Sequence, residues 1–384
     1  MFNHRNKDMY LFLLLLNIAV YLGFQSWSVV FNNFAYEYAN FDGFRMGLTQ
    51  SIREIPGFLS LLVILAIVVL PEHKLAVVSM IVLGIGIGIT GYLPSTTGVI
   101  ISTLVMSFGF HFYETVNQSL TLQYFNKQES PIVFSKLRST AAGANIAAGG
   151  LVMLLLGFMS YKNIFLTVGV LVVGVGLYCL RLNPVDNSLP PQKKKLYLKK
   201  RYWLYYALTF FAGARRQVFT AFSVFLMVEK FHFSAKEIAV LFIINNVVNF
   251  LFNPYIGKFI IKYGERRMLS FEYFTLIFIF IGYAAIDNKY LVAGLYIIDH
   301  IVFNFAVAIR TFYQKISDPA DFANGSAVGF TINHIAAVFI PFAGGMLWMM
   351  DRKIPFISGA VLALCSLVLT QFMTSELRKS ELSS

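Results

Sequence analysis

Apolar stretches long enough to cross a bilayer recur about twelve times in this sequence. They lie near residues 9–34, 43–70, 75–93, 98–122, 134–158, 163–181, 202–228, 236–260, 268–286, 290–313, 322–348 and 354–374. A helix rises 1.5 Å per residue and the hydrocarbon core is about 30 Å thick, so about 20 apolar residues make one crossing. Twelve crossings leave roughly 100–140 residues for loops, tails and a linker, which is too few for a soluble domain of useful size. A chain that is 57% hydrophobic and 13% charged has the composition such an arrangement requires. The expected fold is an all-α membrane protein of twelve transmembrane helices, multi-pass in a plasma or inner membrane.

The net charge of +12 points to nucleic acid in a soluble protein, but in a membrane protein the position of each cation matters more than the sum. If the N-terminus is cytoplasmic, 21 of the 31 lysines and arginines fall on the inner side, seven on the outer side and three at mid-helix depth. Positive charge collects on the cytoplasmic side, so both termini are expected there and no nucleic-acid partner is implied. The longest polar interval runs through Pro184, Pro190, Pro191, Lys193, Lys194, Lys195, Lys199, Lys200 and Arg201. It separates an expected N-terminal six-helix bundle (1–181) from a C-terminal one (202–384), with residues 182–201 as a basic, lipid-attracted linker. Cys179 and Cys365 sit near cytoplasmic helix ends in a reducing compartment, where they read as packing residues.

An internal repeat supports the division. A shift of 188 residues aligns Lys127 with Lys315, Pro131 with Pro319, Phe134 with Phe322, Asn145 with Asn333, Ala148 with Ala336 and Gly157 with Gly345. Buried polarity follows a second rhythm. The third, sixth and twelfth segments carry no ionisable group in their middle thirds, and the ninth carries only Glu272, near its cytoplasmic end. The other segments hold Gln25, Arg53, Glu54, His111, Glu114, Asn145, Arg215, Arg216, Asn245, Asn249, Asp299, His300, Asn333 and His334. Charge in hydrocarbon is costly, so these groups must face protein or water, and every third helix reads as peripheral.

On these residues the chain resembles the major facilitator superfamily, whose two six-helix bundles keep helices 3, 6, 9 and 12 outside a central cavity. That family's loop signature, Gly-x-Leu-Ala-Asp-Arg-x-Gly-Arg-Lys, has a version here from Gly257 to Arg266, with both glycines, Gly257 and Gly264, at the family spacing. The resemblance implies a conformational loop at Gly257, Gly264 and Arg266. The acidic position is Ile261, however, and the loop Pro71-Glu72-His73-Lys74 lacks the motif where the family usually shows it. Pro341, Gly344 and Gly345 are similar to an antiporter signature but stand in the wrong half, where close packing of small residues explains them equally.

The candidate site is a belt near mid-membrane. Arg215 and Arg216 lie about thirteen residues into their helix; Arg53, Glu54, Asp299 and His300 about ten; His111 about thirteen; Asn333 and His334 about eleven. Each arginine costs about 2.5–3.5 kcal/mol at a helix centre, so the pair needs anions or water. Adjacent helical residues point about 100° apart, which lets one arginine face a cavity while the other pairs with an acid. The alternative is that both are structural, neutralised by Glu54, Glu114 or Asp299. The planar donor fork of arginine suits carboxylate or phosphate, so Arg215, Arg216, Gln217, Gln25, Arg53, Asn145 and Asn333 are the expected contacts for an anionic or zwitterionic solute. Glu54, His111, Glu114, Asp299 and His300 are the candidates for proton coupling, because burial and a nearby cation push a carboxyl in opposite directions. A static ion-pair network and metal ligation are the alternatives for that group.

The expected function is secondary active transport by alternating access, with a small solute and a proton or other ion as partners, lipids around it, and a monomeric chain. Export of amphipathic compounds or lipids is the runner-up, followed by a transporter-like sensor. No nucleotide-binding, zinc-hydrolase or nucleophile pattern appears, so neither an enzyme nor a cofactor is expected.

Overall fold

A computed structural model describes residues 4–40, 43–186, 189, 197–233 and 235–383. Pro190, Pro191, Lys193, Lys194 and Lys195 of the expected linker, and the Pro341 side chain, lie outside the described residues. All regular structure among the described residues is helical. In chain order, α1 is His4–Glu37; α2 joins Gly43–Phe58 to Val63–Val69 through a 3-10 turn, Leu59–Leu62; α3 is Glu72–Thr90, α4 Thr96–Tyr124, α5 Ser130–Leu156 and α6 Tyr161–Cys179. Next, α7 joins Trp203–Val218 to Val224–Glu229 through a π-turn, Phe219–Ser223; α8 is Ala235–Tyr263 and α9 Glu265–Ala285. The order closes with α10, Lys289–Val302 and Val307–Ile316 around a 3-10 turn at Phe303–Ala306, then α11, Phe322–Met350, α12, Lys353–Gln371, and a short α13, Met373–Ser383. Among the described residues eleven helices are long and apolar enough to cross a membrane. The remaining segment of the expected twelve is α7, which carries Arg215 and Arg216.

Two compact units organise these helices. The first comprises Met1–Phe125, Thr140–Leu196 and Ala320–Phe330; the second comprises Asn126–Ser139, Tyr197–Pro319 and Thr331–Ser384. In the first unit, small residues bring backbones together. A side chain on Gly86 of α3 would run into the Met106 backbone of α4, and one on Gly109 of α4 would meet Leu83 and Ser79 of α3. Gly84 and Gly88 of α3 likewise meet Gly169 of α6 backbone to backbone. Lipid tails are as apolar as leucine, so helices in a membrane associate through such close packing and through buried hydrogen bonds. Trp27, 1% exposed, donates its indole N–H to Thr90 Oγ1 at 3.3 Å and so enters the core without an orphaned donor.

The second unit relies more on aromatic packing. Tyr205 stacks on Tyr313 with ring centroids 4.3 Å apart, Phe222 on Trp348 at 5.5 Å and Tyr283 on Phe356 at 5.2 Å. Offset aromatic pairs of this kind contribute about 0.5–1.5 kcal/mol beyond the area they bury. Gly344 of α11 accommodates the Phe222 ring.

One motif occurs in both units. Glu72, first residue of α3, accepts hydrogen bonds from Ser119 Oγ at 2.6 Å and Gln123 Nε2 at 2.8 Å, both on α4. Glu265, first residue of α9, accepts from Thr311 Oγ1 at 3.2 Å and Lys315 Nζ at 2.7 Å, both on α10. In each case the donors are four residues apart and share one helix face. An acid at a helix N-terminus also complements the helix dipole.

Candidate functional site

The arginine pair on α7 is divided by its environment. Arg215 is 1% exposed, with Nη1 3.6 Å from Glu272 Oε1 and the guanidinium 4.2 Å over the Tyr273 ring, both partners on α9. Glu272 is fully buried. The acid within ion-pair distance of Arg215 is Glu272, on the helix that the polarity rhythm reads as peripheral. Arg216 is exposed, with the Phe303 ring 5.9 Å away and no ion pair among the described residues. Gln217, next along, is half-buried.

On α10, Asp299 is 1% exposed and its Oδ2 has no hydrogen-bond partner among the described residues. Its neighbour His300 is half-buried between the Phe219 and Tyr296 rings, at 5.9 and 6.1 Å. The 3-10 turn that follows places Asn304 to donate to Asn249 Oδ1 on α8 at 2.8 Å. Arg138 of α5 in turn donates to the Asn304 backbone oxygen at 3.3 Å and to its Oδ1 at 3.1 Å. Asn249 thus makes an interhelical hydrogen bond, the more ordinary role of such residues in membranes. Asn333 of α11 lies against Gly213 of α7, where an added Cβ would sit 2.7 Å from the Asn333 backbone oxygen and 2.9 Å from its Nδ2.

In the first unit, Arg53 turns onto its own neighbour, with Nη2 2.8 Å from Glu54 Oε1. Pro56 follows within α2, and the Arg53 carbonyl accepts a hydrogen bond from Ser107 Oγ of α4. His111 is 6% exposed, packed edge-on to Phe110 and Phe330. A ring nitrogen of His111 and a carboxylate oxygen of Glu54 lie within 4.8 Å of one another. Glu114, one turn along α4, accepts from Tyr21 of α1 at 3.2 Å. Gln25 and Asn145 are half-buried, and Asn145 Oδ1 has no hydrogen-bond partner among the described residues.

In the loop between α8 and α9, Gly264 has φ +81°, a left-handed conformation that glycine adopts without strain. Gly257 sits where a Cβ would lie 2.5 Å from the Pro131 carbonyl oxygen. Arg266 donates to Thr374 Oγ1 at 3.1 Å. The acid that engages other side chains here is Glu265, four residues beyond the Ile261 position.

This order of helices finds its counterpart in a known family: the family model of the Major Facilitator Superfamily matches residues 12–341. The chain belongs to that superfamily. Solved structures of its transporters share the fold. FucP in its outward conformation superposes with a TM-score of 0.77 at 10% identity, covering 96% of this chain and 99% of that one; FucP is the E. coli fucose:proton symporter. The human organic anion transporter MFSD10 gives 0.74 at 12% identity over 95% and 99% of the two chains. A bacterial homologue of the iron transporter ferroportin, outward-facing, gives 0.75 at 14% identity over 97% and 100%. No curated protein matches the sequence.

Several functional candidates carried no local signal in the sequence. Glu272 partners Arg215 across two helices whose residues lie 57 positions apart, and Tyr273 supplies the aromatic face beneath the cation. Glu72 and Glu265 were legible in principle, since each opens an apolar run directly after a proline or a glycine.

Proposed function

We propose that this superfamily member is a secondary active transporter for a small anionic or zwitterionic solute, coupled to protons, in a plasma or inner membrane. Both termini are cytoplasmic on this reading. The observation that carries it is Arg216: an exposed arginine near the middle of α7, without an acid partner among the described residues. A cation at that depth is too costly to leave in lipid, so its surroundings are wet, and its donor fork is available to a carboxylate or phosphate. Arg215, buried on Glu272, is a structural partner and not the contact. The Glu54 and His111 pair of the first unit, with Glu114 one turn away, is a proton-handling group on this reading, and Asp299 and His300 of α10 are the candidates of the second unit. The solute class rests on this chain's own arginine; the fucose and organic anions of the structural relatives are theirs, at a similarity that speaks for fold alone.

The test is a thermal-shift screen of the purified protein against metabolite anions at two pH values, followed by counterflow in proteoliposomes. A true ligand at about one hundred times its Kd stabilises by roughly 2.7 kcal/mol. Arg216→Gln is expected to remove that stabilisation and abolish counterflow. Transport with unaltered kinetics in Arg216→Gln sinks the solute assignment.

A further inference from the structure

The first unit holds a cavity of about 990 Å³ that none of the residues assigned to solute or proton lines. It lies where α2 gives way to α3 and where α4 and α6 end, against the stretch Leu180–Leu189 that follows α6. Ligand pockets run from about 300 to 1,000 Å³, so this one has room for a headgroup together with the glycerol that carries it.

Its walls are of two kinds. One is apolar, with Ile67 and Leu120 buried and Val69 and Leu180 exposed. The same two helices expose Leu65 and Val68 of α2 and Leu177 and Tyr178 of α6, so the apolar wall continues onto surface that meets acyl chains. The other wall is polar and carries the cations Lys74 and Arg181 beside the half-buried His73. Two acids also line it, but they are occupied differently. Glu72 has both carboxylate oxygens taken, one by Ser119 Oγ and one by Gln123 Nε2. Asp186 is half-buried and held at the rim by its own N–H, which donates to Tyr124 Oη at 3.2 Å. Lys74 and Arg181 are the exposed charged groups of the wall, and neither is in an ion pair among the described residues. A guanidinium and an ammonium free on one wall recognise phosphate oxygens. An apolar wall continuous with the lipid-facing surface recognises what an acyl chain is attached to. Basic pockets between the ends of membrane helices are places where anionic headgroups settle.

We propose that this cavity binds one anionic glycerophospholipid, its phosphate on Lys74 and Arg181 and its glycerol and first methylenes along Val69, Leu70, Leu180 and Leu182. The bound headgroup joins the start of α3 to the end of α6. The site is separate from the one assigned to the transported solute and does not depend on that assignment.

The test is thermal unfolding of the purified chain in neutral detergent as phosphatidylglycerol, phosphatidylcholine or glycerol 3-phosphate is added, the dependence of Tm on concentration giving the apparent Kd. Phosphatidylglycerol is expected to raise Tm to a plateau. Glycerol 3-phosphate has the phosphate without the chains and should need about a hundredfold higher concentration, the worth of roughly three to four buried methylenes. Lys74→Gln and Arg181→Gln should each weaken phosphatidylglycerol about fivefold and the double variant about thirtyfold, at about 1 kcal/mol per cation. Both side chains are exposed, so the lipid-free variants should melt with wild type. Phosphatidylcholine, without net charge, should bind wild type no better than phosphatidylglycerol binds the double variant. Lys258→Gln/Lys262→Gln removes two exposed cations from the end of α8 in the other unit and should leave the apparent Kd unchanged. An equal loss in that control means diffuse attraction to surface charge and overturns the proposal. Glycerol 3-phosphate as tight as phosphatidylglycerol makes the ligand a free phosphorylated solute and overturns the lipid, and a Tm that never reaches a plateau overturns the site itself.

Discussion

The clamp at the start of α9 allows a quantitative test of the packing reading. Glu265 is 3% exposed and accepts Lys315 Nζ at 2.7 Å and Thr311 Oγ1 at 3.2 Å. A hydrogen bond to a charged group contributes about 1.5–3 kcal/mol when buried. The Lys315 side chain is 30% exposed, so water takes part of that interaction and the lower end of the range applies. Glu265→Gln keeps an acceptor for Thr311 and loses the ion pair, at an expected cost of about 2 kcal/mol. For a unit of this size that lowers Tm by roughly 4–8 °C. The assay is thermal unfolding in detergent of Glu265→Gln, Lys315→Met and the double variant. The cycle should return a coupling of about 1.5–2 kcal/mol, which a shared partner produces and distant sites do not. A coupling below about 0.5 kcal/mol would show that the two side chains contribute separately and that the clamp is only a crossing of long side chains.

Glu72→Gln, whose partners Ser119 and Gln123 are neutral, should cost about 1 kcal/mol in the same assay; a loss equal to that of Glu265→Gln would remove the distinction between the two clamps. Gly86→Leu and Gly109→Leu each force α3 from α4 and should destabilise by about 1–3 kcal/mol, with the double variant costing less than the sum because one substitution already opens the seam. Tyr273→Phe keeps the face under Arg215 and removes a hydroxyl that has no hydrogen-bond partner, so its Tm should match wild type, whereas Tyr273→Leu should cost about 2 kcal/mol. In the α9–α10 loop, a hydrogen bond from Lys230 and its charge hold the Asp287 carboxyl below its ordinary range. Because the folded value is depressed, this contact stabilises above the unfolded carboxyl's pKa and is lost as pH falls through the folded one. Asp287→Asn and wild type should therefore converge in Tm on acidification, and a gap that widens would reverse the assignment.

The helical order was legible because twenty-residue apolar runs have few alternatives in a membrane. The interruptions were not: nothing in the composition of Phe219–Ser223 or Phe303–Ala306 distinguishes a π or 3-10 turn from a continuing α-helix. Separating Arg215 from Arg216 follows from the 100° between adjacent residues, but choosing Glu272 as partner needs the approach of α7 to α9, which local spacing does not encode. The repeat shows the converse. Its sequence identities are sparse at a shift of 188, while the clamps align Ser119 with Thr311 and Gln123 with Lys315 at a shift of 192. Geometry is kept where identity is not, since a hydroxyl and a long donor four residues apart can each be supplied by more than one residue type.

The two α7 arginines have different requirements, and conservative replacement separates them. Arg215 is enclosed, stacked on Tyr273 and aimed at Glu272, so it needs a flat, delocalised cation; an ammonium at position 215 is more strongly hydrated, is shorter and presents no plane to the ring. Arg215→Lys should therefore lower Tm while leaving the dissociation constant of any bound anion nearly unchanged. Arg216 is exposed and keeps its charge as lysine without losing packing, so Arg216→Lys should melt with wild type. What it loses is the bidentate fork, which gives arginine its advantage over lysine for planar carboxylates. Its anion affinity should fall with Tm unchanged. If the two variants exchange these effects, so that position 215 sets affinity and position 216 sets stability, the division of labour along α7 is the reverse of the one drawn from burial.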